Sequence, residues 1–462
     1  LMPSGGSGAR GDALEELIVL KPQILTDKKV AQWLEAAAQE DLNDVEQANL
    51  REMTRHYQQA AVLPESLVEA KSLAGSRCEH AWRSQRPAND WEGFSANLKE
   101  VVKLSREEAK LRAAVKGCTP YDALLDLYEP DMTAAKLDVL FADLKSWLPD
   151  LLNQAVAKQA QRQLIAPVGP FPVEKQRELG LTAMHTLGFN FDAGRLDISA
   201  HPFCGGVPED VRITTRYDEN DLLGALFGVV HETGHARYEQ NLPRTWLGQP
   251  VAEARSMAVH ESQSLFFEMQ LGRSKAFLQR LLPAVIDRFG AQPAFSEENF
   301  IAWNQQVQPG LIRVDADEVS YPAHVILRYE IERALINGEI EVEDIPALWD
   351  EKMQHWLGIS TVGNYRDGCM QDIHWNDCGF GYFPSYTLGA MYAAQLFHAA
   401  RTALPNLDAA IAEGDFSALF DWLRQNIWQH GSRFTTAKLI ESATGEALNS
   451  RYFRQHLTAR YL

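Results

Sequence analysis

The chain is short of the features that would place it outside the ordinary globular class. Its five cysteines, Cys78, Cys118, Cys204, Cys369 and Cys378, are odd in number and include no C-x-x-C pair. That excludes a disulfide framework and a cysteine zinc ribbon, and it fits a reducing cytoplasm. Long apolar runs are missing too. The stretch "LLGALFGVV" at 222–230 is far too short to span a bilayer, so a soluble protein is expected. Basic residues are outnumbered, 44 Lys plus Arg against 62 Asp plus Glu, and the formal charge of -18 repels nucleic acid and anionic membranes. Residues 1–13 lack the basic start and apolar stretch of a signal peptide and read as a flexible Gly/Ser-containing tail, set aside from fold reasoning.

What is present is mostly helical patterning. From Leu14 to Leu164 apolar residues recur at three and four, broken by turn signals such as "RPAND" and "KGCTPYD". In "DMTAAKLDVLFADLKSWLPDLLNQAVAKQAQRQL", Pro149 marks an expected boundary. The Pro-rich "APVGPFPVEKQ" near Ala166 divides a helical lobe at about 14–165 from a second lobe at about 166–462 within one domain. One strand stands out. Val211, Ile213, Thr215 and Tyr217 alternate with Arg212, Thr214 and Arg216, the period of a half-buried strand. Helices are expected again from Asp221 to Asn241, from Pro250 to Leu271, and over most of the rest.

The sequence "LFGVVHETGHARYEQ" at 226–240 carries the H-E-x-x-H spacing. On a helix, positions i and i+4 lie about 40° apart, so His231 and His235 project from one face with Glu232 on its flank. Two imidazoles can then bind one Zn²⁺ while the glutamate reaches a water. The alternative is two histidines four apart by accident among the 13 of this chain. A metzincin is excluded, because it needs Gly at 238 and His at 241 where this chain has Tyr238 and Asn241. Catalytic zinc often takes two His and one Glu. Glu261 of the next helix shares a face with Ala254, Met257, Ala258 and Leu265, and a carboxylate on an apolar face needs a compensating cation. Its alternative is a core ion pair with an arginine. Glu253 and Glu268 are the weaker candidates, solvated or supporting a ligand.

Beyond these residues the chain closely resembles the carboxypeptidase Taq family of zinc metallocarboxypeptidases. The resemblance runs from about Tyr121 to the C-terminus through "HPF" at 201–203, "DVRITT" at 210–215, "HETGH" at 231–235 and "HESQ" at 260–263. It continues with "IRVDADEVSYPAHVILRYEIE" at 312–332, "GCMQDIHW" at 368–375 and "GYFPSYTLG" at 381–389. It implies a mainly α, two-lobed fold with a long central groove and a small β-sheet near the zinc, similar to neurolysin-like oligopeptidases. It implies zinc held by His231, His235 and Glu261, with cobalt able to take the same ligands, Glu232 as general base, and a homodimer. The strand at 211–217 would lie beside the site, where a strand edge can hold an extended peptide. By resemblance Tyr386 is the leading oxyanion donor and Tyr382 the second; a core tyrosine is the alternative for each.

A carboxypeptidase must also bind a free α-carboxylate, best done by an arginine fork. Arg313 is the implied anchor, with a structural pair to Asp315 or Asp317 as its alternative; Arg212 and Arg328 read as structural. His201 and His374 are candidate substrate contacts, and His260 and Asp372 candidate supports for the residues that act. The expected partners are peptides with a free C-terminus. An oligopeptidase that cuts internally shares the zinc site but lacks the anchor, and an inactive peptide-binding relative would keep only the groove.

Overall fold

The computed structural model describes residues 20–199 and 202–462, and within them the chain is built mainly of helices around one small sheet. Long helices at Asp44–Ala61, Glu65–Gln85, Trp91–Lys116 and Ala134–Gln159 make up most of the first part. The last of these runs straight through Pro149, contrary to the boundary expected there. A proline removes only one amide from the ladder, and Leu148, Leu151 and Leu152 of the same stretch are buried, so packing holds the turn that the sequence alone would break.

The sheet has three strands, β1 Gly194–Ile198, β2 Phe203–Val207 and β3 Asp210–Thr215, in the order β1-β3-β2. β3 pairs parallel with β1 and antiparallel with β2. The expected strand is therefore real but shorter, ending at Thr215, because Asp218 folds the chain into a turn by accepting from the Asn220 amide and, through its carbonyl, from that of Asp221. It is also the central strand. The edges belong to β1 and β2, not to the strand read from the alternation.

One helix packs beneath this sheet and crosses a second. The motif helix, Leu222–Gln240, is capped by Asp221, whose carboxylate accepts from the Leu223 and Gly224 amides. It is buried on nearly every side, as its lack of a polar face requires. Val229 and Val230 have no exposed surface, a burial worth roughly 1.5–3 kcal/mol for each side chain. The facing helix, Met257–Leu265, starts at Ser256, whose hydroxyl accepts from the Val259 amide, rather than at Pro250 as expected. Ala254 thus lies outside it. It continues into a π-helical turn at Phe266–Gly272.

Close approach explains the glycines at this crossing. A β-carbon on Gly234 of the motif helix would sit 2.4 Å from the Gln263 carbonyl oxygen, so the facing helix passes where a side chain would be. On its other side the facing helix packs against Pro384–Ala403, where a β-carbon on Gly389 would come within 2.8 Å of the Glu261 side chain. A single apolar cluster extends from Cys78 to Tyr461, and a smaller one with Val211, Ile213 and Val229 lies under the sheet. Among the described residues no helix is long and apolar enough to cross a membrane.

Candidate active site

The helix crossing brings His231, His235 and Glu261 together with their ligand atoms all within 4.8 Å of one another. Glu261 places one oxygen 3.9 Å from His231 Nε2 and the other 3.4 Å from His235 Nε2. Ligands about 2.1 Å from a tetrahedral zinc lie about 3.4 Å apart, so the spacing and the nitrogen and carboxylate donors both suit that ion. The two Nε2 atoms are available because each Nδ1 is engaged elsewhere.

The two histidines are oriented by different devices. His231 Nδ1 is 2.9 Å from Glu268 Oε2, and Glu268 is held in turn by Arg273 at 3.2 Å. Glu268, a weak ligand candidate in the sequence, is half-buried against His231, whereas Glu253 is mostly exposed. His235 Nδ1 instead meets His260 Nδ1 at 2.6 Å, and His260 Nε2 meets Glu239 at 2.8 Å. With His235 bound through Nε2, its Nδ1–H donates to His260, whose proton then sits on Nε2 and is donated to Glu239. One tautomer of each ring satisfies the whole series. His260 thus stands between His235 and Glu239. Glu239 and Arg273 escaped the sequence reading, although Glu239 is four residues after His235 and so on its face of the helix.

Burial dominates the electrostatics. Glu232, next to His231, has its carboxyl pushed up to about 7 by burial, with Glu261 and Glu268 adding and His231 and His260 opposing. Burial would raise Glu261 as well, but His231, His235 and Arg313 outweigh it and hold that carboxyl down at about 2. The site therefore presents a carboxylate where a cation is to sit and a poised carboxyl beside it.

A second cluster forms the wall next to Glu261. Arg313 lies against Asp372, with Nη2 at 2.8 Å and Nε at 3.2 Å, and its Nη1 donates to the Tyr321 hydroxyl at 3.2 Å. Its carboxylate partner is therefore Asp372, from the "QDIHW" segment, rather than Asp315 or Asp317; Asp317 instead accepts from the amides of Val319 and Ser320. The fully buried Arg328 also donates to Asp372, at 3.3 Å, while the exposed Arg212 pairs with Asp210. His374 Nε2 is 3.0 Å from the Tyr386 hydroxyl, and Tyr382 packs edge-on to Tyr386 with ring centroids 5.3 Å apart. Burial, reinforced by Arg328 and Arg313 against the opposing pull of Asp372, pushes His374 down to about 3, so it is neutral. His201 lies outside the described residues. Tyr321 gave no sequence signal beyond its place in the motif.

A helical scaffold in which two histidines one turn apart and a glutamate from a crossing helix converge beside a buried second glutamate defines a metallopeptidase of the H-E-x-x-H class. More narrowly, the chain belongs to the carboxypeptidase Taq (M32) metallopeptidase family, which it matches over residues 1–461, and it is a metallocarboxypeptidase. It is 41% identical to thermostable carboxypeptidase 1 of Thermus thermophilus, covering 100% of this chain and 92% of that protein. It is 37% identical to carboxypeptidase 1 of Bacillus subtilis, over 99% of this chain and 92% of that one. Among solved structures, Trypanosoma cruzi metallocarboxypeptidase 1 superposes with a TM-score of 0.97 at 49% identity, over 100% of this chain and 93% of that one.

Proposed function

We propose that this enzyme is zinc-dependent and removes single residues from the free C-termini of peptides, with His231, His235 and Glu261 holding the metal. The observation that carries this reading is the donor spacing of 3.4 and 3.9 Å, with both Nε2 atoms turned toward the Glu261 carboxylate. When bound, zinc acidifies water and polarises the scissile carbonyl. Glu232 takes the water proton and passes it to the leaving amine. Tyr386 donates to the developing oxyanion, with Tyr382 packed beside it. The open edge of β2 holds the substrate main chain by backbone hydrogen bonds, and the peptide runs between the lobes that meet near residue 165.

Arg313 binds the substrate carboxylate. A guanidinium has five N–H groups. Asp372 uses those of Nε and one on Nη2 and Tyr321 uses one on Nη1, which leaves one on each terminal nitrogen for a second carboxylate. Asp372 thus fixes the fork in place before substrate arrives, and His201 and His374 remain candidate contacts along the wall. The reading extends to a cytoplasmic homodimer, which rests on the family resemblance and the cysteine usage; sedimentation of the purified protein tests the dimer, and metal analysis of enzyme prepared without added metal separates zinc from cobalt.

Blocked dipeptides and their C-terminal amides, assayed with and without chelator, test the function. The free acids are cleaved, the amides are left nearly untouched, and chelator abolishes turnover. Equal cleavage of acid and amide would sink the anchor and favour an oligopeptidase instead.

A further inference from the structure

We infer that His374 is a positioning residue that turns the hydroxyl hydrogen of Tyr386 toward the metal site. This deepens the reading of Tyr386 as the oxyanion donor and rests on it.

A hydroxyl has one hydrogen to give, and a donor aimed at a neighbouring acceptor is unavailable to a substrate. His374 Nε2 lies 3.0 Å from the Tyr386 oxygen, so the direction of that bond, together with that of the bond between the Tyr382 and Tyr386 hydroxyls, decides where the tyrosine hydrogen points. Two neutral tautomers are possible. With the proton on Nδ1, Nε2 accepts from Tyr386 and consumes its hydrogen. With the proton on Nε2, His374 donates and Tyr386 keeps its hydrogen free.

The surroundings select the second. His374 Nδ1 is buried and has no hydrogen-bond partner in the protein. A proton there would be an orphaned buried donor, which folded proteins avoid more strictly than an underused acceptor. The ring cannot turn to exchange its nitrogens freely, because Phe383 packs edge-on with centroids 4.8 Å apart and Tyr382 lies 5.3 Å away. Nε2–H therefore donates to the Tyr386 oxygen.

The neighbouring Tyr382 hydroxyl shares a hydrogen bond with Tyr386 and favours the charged form of Tyr386, the sense of a bond in which Tyr382 donates, so Tyr386 accepts from both His374 and Tyr382 and its own hydrogen stays free. Arg313 lies over the Tyr386 ring with its guanidinium carbon 4.5 Å from the centroid and offers only donors. Asp372 already accepts from Arg313 and Arg328. Tyr386 is three residues before Gly389, one turn away on the same face of the Pro384–Ala403 helix. That face meets the Glu261 side chain at Gly389. The hydroxyl is thus aimed at the side from which an oxyanion would approach, and the cation over its ring makes it a stronger donor.

The test is kcat and KM on a blocked dipeptide for zinc-loaded His374→Leu, His374→Gln and His374→Asn, each alone and combined with Tyr386→Phe, with bound zinc and Tm recorded for every protein. Glutamine can place an N–H near the Nε2 position; leucine cannot, and asparagine reaches only the Nδ1 side. His374→Leu and His374→Asn are expected to lower kcat about 10–100-fold with KM little changed, His374→Gln to restore most of it, and none to lower kcat further once Tyr386 is phenylalanine. If His374→Leu does not fold, the Gln and Asn pair carries the same contrast. The inference is overturned if the loss is the same with and without the Tyr386 hydroxyl, or if only KM rises, which would make His374 a substrate contact. If Tyr386→Phe alone keeps full kcat, the reading of Tyr386 as oxyanion donor fails instead.

Discussion

Glu232 and Glu261 are both buried glutamates near one metal site, yet their surroundings push their carboxyls in opposite directions, to about 7 and about 2. Only Glu261 lies opposite the free ring nitrogens, so Glu232→Gln is expected to retain metal while kcat falls on the order of 10³-fold. Turnover unchanged in this variant would remove Glu232 from the chemistry. The unequal supports of the two histidines predict unequal losses. Glu268→Gln breaks a direct bond to His231 and should weaken zinc binding about 10–100-fold. Glu239→Gln acts through His260, with a carboxylate about a quarter exposed, and should cost less. Competition with a chromogenic chelator ranks them; a larger effect of Glu239→Gln would reverse the argument.

At the scale of the helices, the two close crossings invert an ordinary rule. Replacing a helical glycine with alanine normally gains about 1 kcal/mol. In this protein the new methyl on Gly234 would meet the facing helix's backbone at 2.4 Å, and the one on Gly389 would meet Glu261 at 2.8 Å. Overpacking of this kind costs about 1–3 kcal/mol. Gly234→Ala and Gly389→Ala are both expected to lower Tm, and Gly389→Ala to weaken metal binding as well, because it displaces a ligand. Thermal melts with and without zinc test this. A Tm raised by either substitution would show that the crossing can open at little cost.

For the molecule as a whole, the last helix, Arg451–Tyr461, is latched onto a buried acid. Glu318 accepts from Arg460 Nη1 at 3.0 Å and from the Tyr461 hydroxyl at 2.9 Å, and lies 2.6 Å from His456 Nε2. Burial alone would raise its carboxyl, but these partners hold it down at about 2. His456 is the larger of the two charged influences on Glu318 and Arg460 the second, although burial keeps His456 itself below its ordinary value. A carboxyl depressed in the folded state adds stability that is full above its unfolded value near 4.3 and is lost as pH falls toward 2, at most about 3 kcal/mol. Urea unfolding at pH 7 and pH 3 should show a steeper acid loss in the wild type than in Glu318→Gln. Equal slopes would dismiss the latch as an acid-sensitive element.

The motif helix, a strand beginning at Val211 and the spacing that groups His231, His235 and Glu261 as candidate donors were legible in the chain's own order of residues. Each depends on a local rule, a period or a spacing, that operates over a few residues. The remaining decisions needed contacts between segments distant in sequence. Asp372 faces Arg313 across 59 residues and Glu268 reaches His231 across 37, and no periodicity signals such pairs. Pro149 was carried through a helix, and the strand first read as an edge became the centre of its sheet, because packing against neighbours outweighs a single residue's preference. The sequence by itself determined which side chains are candidates to bind a metal and to activate a water. Only the tertiary structure decided which of their nitrogens are free and which neighbours hold them, since hydrogen bonds and burial are properties of the assembled chain.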